Sequence, residues 1–227
     1  MKKIIVGILI ICMILLSGCI DNDNSKSELT IYDSWVSVVE TFTPNDSLVI
    51  ETKNKILGND SDGFLTSTDV TKFQEWVNKN INYLDRDVLY FPNETLTYLE
   101  CDCSEYTTLM YSFLSAENVN SSADIYVVYV VFYDGYAYTH HGAVLVVFED
   151  YLFLSDSTYQ DRWEDISNTF YPVDNISTII NSILRYSNLE EYNIWAVFSE
   201  CCFNSFDDNE EFYGWCEYQL DKNLVMW

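Results

Sequence analysis

Three residue types in one order could do covalent chemistry in this chain: Cys103, the adjacent pair His140 and His141, and Asp156. A cysteine attacks as its thiolate, a histidine takes or holds the proton, and a carboxylate fixes the imidazole tautomer and steadies its positive charge. His140 and His141 are the chain's two histidines, so a base of that kind is one of them. Cys103 opens an apolar-periodic segment that predicts a helix over Cys103 to Ala116, and the positive end of a helix favours a thiolate. Backbone N–H groups of that first turn could supply part of an oxyanion hole, and Tyr90 or Tyr98 upstream could add a donor.

A hairpin must carry the other two residues. His141 to Phe148 and Tyr151 to Asp156 are apolar runs on either side of Glu149-Asp150. A two-residue turn there pairs Phe148 with Tyr151 and, by extension, sets His141 opposite Thr158. Asp156 is then the diagonal neighbour of His141 on one face, while His140 shares the other with Ser155 and Ser157. The spacing therefore selects Cys103, His141 and Asp156.

The remaining elements are read from periodicity and caps. Thr66 to Asp69 is a capping box that opens an amphipathic helix burying Val70, Phe73, Val77, Ile81 and Leu84. A further helix is expected over Asp46 to Leu57, and another over Ile176 to Leu184. Asp124 to Tyr133 is apolar on both faces, as a central strand is, and Asn193 to Phe198 reads as a strand. Asp85 to Leu99 reads as an irregular connection, and the tail from Phe203 to Trp227 has no readable period. Asp60, Asp62 and Asp69 partly match a calcium loop, but its first ligand position falls on Gly58, so a solvated loop is expected and no metal is assigned. No cofactor is expected either.

With 227 residues, 48% apolar and 16% aromatic, the chain can build one sizeable core. Its net charge of −25 makes nucleic acid a poor partner, because phosphate binding needs basic patches. Lys2 and Lys3 precede an apolar run from Ile4 to Leu16, and Leu16-Ser17-Gly18-Cys19 resembles the lipobox of exported prokaryotic lipoproteins. That resemblance implies a signal peptide over residues 1–18, lipidation of Cys19, a polar tether over 19–30, and a domain at 31–227 on the extracytoplasmic face of the cell membrane. Outside the cytoplasm, Cys101, Cys201, Cys202 and Cys216 are expected to form disulfides, leaving Cys103 as the odd free thiol. Zinc is the competing reading of that cluster.

Trp76-Val77-Asn78-Lys79-Asn80-Ile81-Asn82-Tyr83, Cys103-Ser104-Glu105-Tyr106-Thr107-Thr108-Leu109 and the His141-to-Asp156-Ser157-Thr158 interval together resemble the transglutaminase-like cysteine enzymes of the papain-like fold group. The likeness covers about residues 66–160. Cys101 stands where that family has glycine, Ala143 where it has an aromatic residue, and Ser157 where it has proline. The resemblance implies an α+β fold whose nucleophile-bearing helix packs on an antiparallel sheet, with residues 161–227 as an extension of that core. It also implies thiol acyl transfer on a peptide or protein amide, hydrolysis ahead of cross-linking. The alternative is a non-catalytic module of the same fold that binds a peptide, glycan or envelope partner.

Overall fold

Side-chain caps set where the helices start. Asp46 accepts from the backbone N–H groups of Leu48 and Val49 and opens α1, Ser47–Leu57. Gly58 closes it at a positive φ of 61°, a conformation that suits glycine at a helix end. Thr66 and Asp69 form the expected capping box at the start of α2, Ser67–Asn80. Val70, Phe73, Val77 and Ile81 are buried as their spacing requires. Leu84 is exposed instead, because the helix has already ended and the chain has entered the short strand β1, Asn82–Tyr83.

A computed structural model describes residues 38–84, 89–120, 123–133, 138–148, 151–155, 170–172, 194–199 and 203–206, together with 211, 212, 214, 215 and 218. They fall in one compact unit, Ser37–Trp227. The expected signal peptide, Cys19, the tether, Asp156, the helix over Ile176 to Leu184, and Cys201, Cys202 and Cys216 lie outside the described residues. No described helix is long and apolar enough to cross a membrane.

The connection expected to be irregular contains a helix, α3, Pro92–Tyr98. Pro92 is in its first turn, and Glu94 accepts from the Phe91 N–H. Seven residues are too few for a 3.6-residue period to show. β2, Glu100–Cys101, then pairs in parallel with β1. It leads directly into α4, Cys103–Glu117, which is buried on nearly every side.

The main sheet follows: β3, Asp124–Tyr133; β4, Tyr138–Val147; β5, Tyr151–Ser155; β6, Phe170–Pro172; β7, Ile194–Phe198; and β8, Phe203–Phe206. Their order is β6-β5-β4-β3-β7-β8, with every pairing antiparallel. β8 lies in the tail where no period was readable; four residues leave little pattern. β3 is central, as its two-sided apolar character requires. The β4–β5 register is the expected one, with Val144 opposite Ser155 and Val147 opposite Leu152.

The ends of α4 are anchored differently. At its C-terminal end the fully buried Glu117 accepts from Lys53 Nζ at 2.7 Å and from the backbone N–H groups of Asp62 and Gly63. That carboxylate organises the loop with the partial calcium pattern. The pattern's own acids are engaged elsewhere: Asp60 pairs with Lys72, Asp62 accepts from the Phe64 N–H, and Asp69 closes the capping box. Among the described residues no cluster of ligands suits a metal ion.

Candidate active site

Cys103 is the first residue of α4, a free thiol in a residue only 8% exposed. It is therefore not bonded to Cys101. Asp102 caps the helix, its Oδ1 accepting from the N–H groups of Ser104 at 2.7 Å and Glu105 at 3.0 Å. Glu105 is fully buried; its carboxylate accepts from the Asp102 N–H and the Tyr90 N–H, each at 2.9 Å. The Tyr106 N–H goes to the Asp102 carbonyl. These bonds hold the Cys103 turn rigidly. They also use up the N–H groups expected to form part of an oxyanion hole, leaving the amide of Cys103 itself.

The strand facing this turn is β4. A Cβ on Gly142 would lie 2.9 Å from Thr107 Oγ1 and 3.6 Å from the Cys103 carbonyl oxygen. Only a residue without a side chain lets the helix come so close. Ser155, on the strand beside β4, reaches the same helix. Its hydroxyl lies 2.7 Å from the Tyr106 hydroxyl and 3.2 Å from Gln74 Oε1, joining α4, β5 and α2 through buried polar groups.

These contacts settle which side of the sheet carries α4. Alternate residues point to opposite faces, and β3 and β4 pair without interruption from Asp124↔Val147 to Tyr133↔Tyr138. Gly142, Val144 and Val146 of β4 thus belong to the α4 face, with Ser155 and Tyr129. His141 is buried in the intervening row. That row includes Ala143 and Leu145 and, across on β3, Val128 and Tyr126. Tyr126 meets Trp215 edge-on at 5.1 Å, on the side away from α4. The expected hairpin register is present from Val144↔Ser155 to Val147↔Leu152, and its continuation to Asp156 lies outside the described residues. Pairing, however, decides which residues share a face and not which face receives the helix. The face that receives it is the one holding Gly142. Asp156, which follows Ser155, lies outside the described residues.

Of the two tyrosines expected near Cys103, Tyr98 is 57% exposed, and Tyr90 gives its backbone N–H to Glu105. Tyr129 stands opposite Gly142 on β3, near enough to Cys103, Ser104 and Asp102 for its ionisation to respond to them. Burial pushes its ionisation well above the ordinary tyrosine value. The neighbouring Cys103 pushes the same way, Ser104 opposes the shift, and Asp102 adds to it. No spacing argument could have singled out one tyrosine among 18.

No disulfide joins cysteines among the described residues. Cys201, Cys202 and Cys216, the expected partners of Cys101, lie outside them.

Residues 53–161 match the family model of a transglutaminase-like domain. The match spans the elements from within α1 through β5 and includes Cys103, both histidines and Asp156. This part of the chain is a transglutaminase-like domain, and its mixed helices and antiparallel sheet are those of an α+β, papain-like core. No curated protein matches the chain in sequence.

Proposed function

We propose that the protein is a membrane-anchored, extracytoplasmic cysteine enzyme that transfers acyl groups from peptide or protein amides, most often to water. The observation that carries the reading is a free Cys103 at the start of a capped, buried helix, packed against the histidine-bearing strand of a transglutaminase-like domain. Cys103 attacks the amide carbonyl and forms a thioester, expelling the amine; water or a second amine then releases the acyl group. The base comes from the His140–His141 pair. Hairpin spacing favours His141 through Asp156, whereas strand alternation carried on from Gly142 favours His140; we assign the base to His140, and Asp156, which the hairpin spacing sets with His141, is then not its orienting carboxylate. The lipobox-like Leu16-Ser17-Gly18-Cys19 supports lipidation at Cys19 and a substrate met outside the cytoplasm.

The test is release of amine from a peptide-amide library by the wild type and by Cys103→Ala. We expect the variant to lose on the order of a thousandfold or more in kcat/KM, as nucleophile removal does in thiol and serine hydrolases. Equal turnover by the two proteins contradicts the reading.

A further inference from the structure

Five Asn-x-Ser/Thr triplets occur in the chain, at Asn45, Asn59, Asn93, Asn120 and Asn175. Such a triplet accepts an N-linked glycan on an exported protein when its amide and its hydroxyl residue both stand open at the surface. The fold sorts them. Asn93 and Thr95 lie within α3, where Thr95 is fully buried and gives its hydroxyl to the Phe91 carbonyl. Asn93 also donates its own amide to Asp46 Oδ2 at 3.3 Å. Asn120 donates its amide to the Asp62 carbonyl at 3.3 Å. Asn59 is exposed, but its partner Ser61 gives its hydroxyl to Asn54 Oδ1 at 2.7 Å. Asn175 and Ser122, the hydroxyl residue of the Asn120 triplet, lie outside the described residues.

Asn45 is presented differently. Thr43-Pro44-Asn45-Asp46 is a turn closed by the Asp46 N–H on the Thr43 carbonyl at 3.0 Å, with proline second and asparagine third. The Thr43 N–H is tied to Ser112 Oγ on α4, and Phe42 stacks on Tyr111 at 4.0 Å, so the turn is fixed to the body of the domain. Asn45 at its tip and Ser47 at the start of α1 are both exposed.

We infer that Asn45 is the site of an N-linked glycan, added to the folded domain from an oligosaccharide carried on a lipid phosphate. Asn45 Nδ2 forms a bond to the anomeric carbon of the sugar, and that carbon's bond to the phosphate oxygen breaks. The lipid phosphate leaves with the bonding electrons, and Nδ2 gives one proton to a base of the transferase. The site rests on the reading of the chain as exported and anchored through Cys19, which holds the domain at the membrane that carries such a donor.

The test is peptide mapping by mass spectrometry of the full-length protein recovered from the membranes of its own host, as wild type, Asn45→Gln and Ser47→Ala. The wild-type peptide that holds Asn45 should carry a sugar mass, and the peptides of Asn59, Asn93 and Asn120 should not. Loss of that mass in Asn45→Gln places the sugar on this residue. Loss in Ser47→Ala, which keeps Asn45, shows that the triplet is what the transferase reads. A glycan on Asn93 overturns selection by the fold, because Thr95 is reached only before folding. A bare Asn45 in the wild type overturns the inference outright. If the same sample carries lipid on Cys19, only the glycan site has failed; if it carries none and the protein is found in the cytosol, the export reading has failed as well.

Discussion

The two faces of the β3–β4 ladder are built from the same alternation but to different standards. The face under α4 is tight and polar. Gly142 admits the helix, Ser155 bonds Tyr106 and Gln74, and Tyr129 stands opposite Gly142 near the first turn of α4. The other face is covered by an aromatic group: Trp215 lies near Tyr126, Phe206 and Phe212, at centroid distances of 5.1–6.3 Å. Aromatic packing of this kind tolerates small shifts, whereas a 2.9 Å approach to a threonine oxygen does not. If Cys103 is the nucleophile, as proposed, the side chains that meet it come from the first face.

The largest expected consequence separates the adjacent histidines. His140→Ala should reduce kcat/KM for amine release on the order of a hundredfold or more, in the range lost with a general base. His141→Ala should change it less than about tenfold, a packing-sized effect on a site it does not face. Steady-state kinetics of both variants decides between strand parity and hairpin spacing, and the opposite ranking would return the base to His141.

Gly142→Ala comes next. Its methyl group must displace Thr107 or the first turn of α4, so urea unfolding should show a loss of about 1–3 kcal/mol. Cys103 labelling should slow in the same variant. A neutral substitution would mean that the helix stands farther from β4 than the described geometry has it.

The smallest effect is expected from the aromatic face. Trp215→Leu should cost about 1 kcal/mol in the same unfolding experiment, roughly the contribution of its ring pairs. It should leave Cys103 labelling unchanged. Altered labelling would couple the two faces and weaken the contrast between them.

Much of this architecture was legible in the residues. The Thr66–Asp69 box, the apolar spacing of α2 and α4, and the two-sided strand at 124–133 are local signals, and each element formed where its signal lay. α3 and β8 were missed because they are too short to carry a period. Within the site, Cys103 was legible from its place at a helix start. Gly142, Tyr129 and the Gln74–Ser155–Tyr106 chain were not, because each depends on how α4 lies across the sheet. For the same reason the β4–β5 register followed from the turn while the face carrying α4 did not. Pairing is a property of two strands; the covered face is decided by the whole fold.

The central claim is that folding activates Cys103. It is tested most directly by the rate of iodoacetamide labelling of that residue at pH 7, in the folded, unreduced protein and in the denatured chain, each read by peptide mapping. Despite the thiol's burial, the account predicts faster labelling in the folded protein than in the denatured chain. Labelling of Cys103 only after denaturation would contradict it and mark the residue as an ordinary core cysteine.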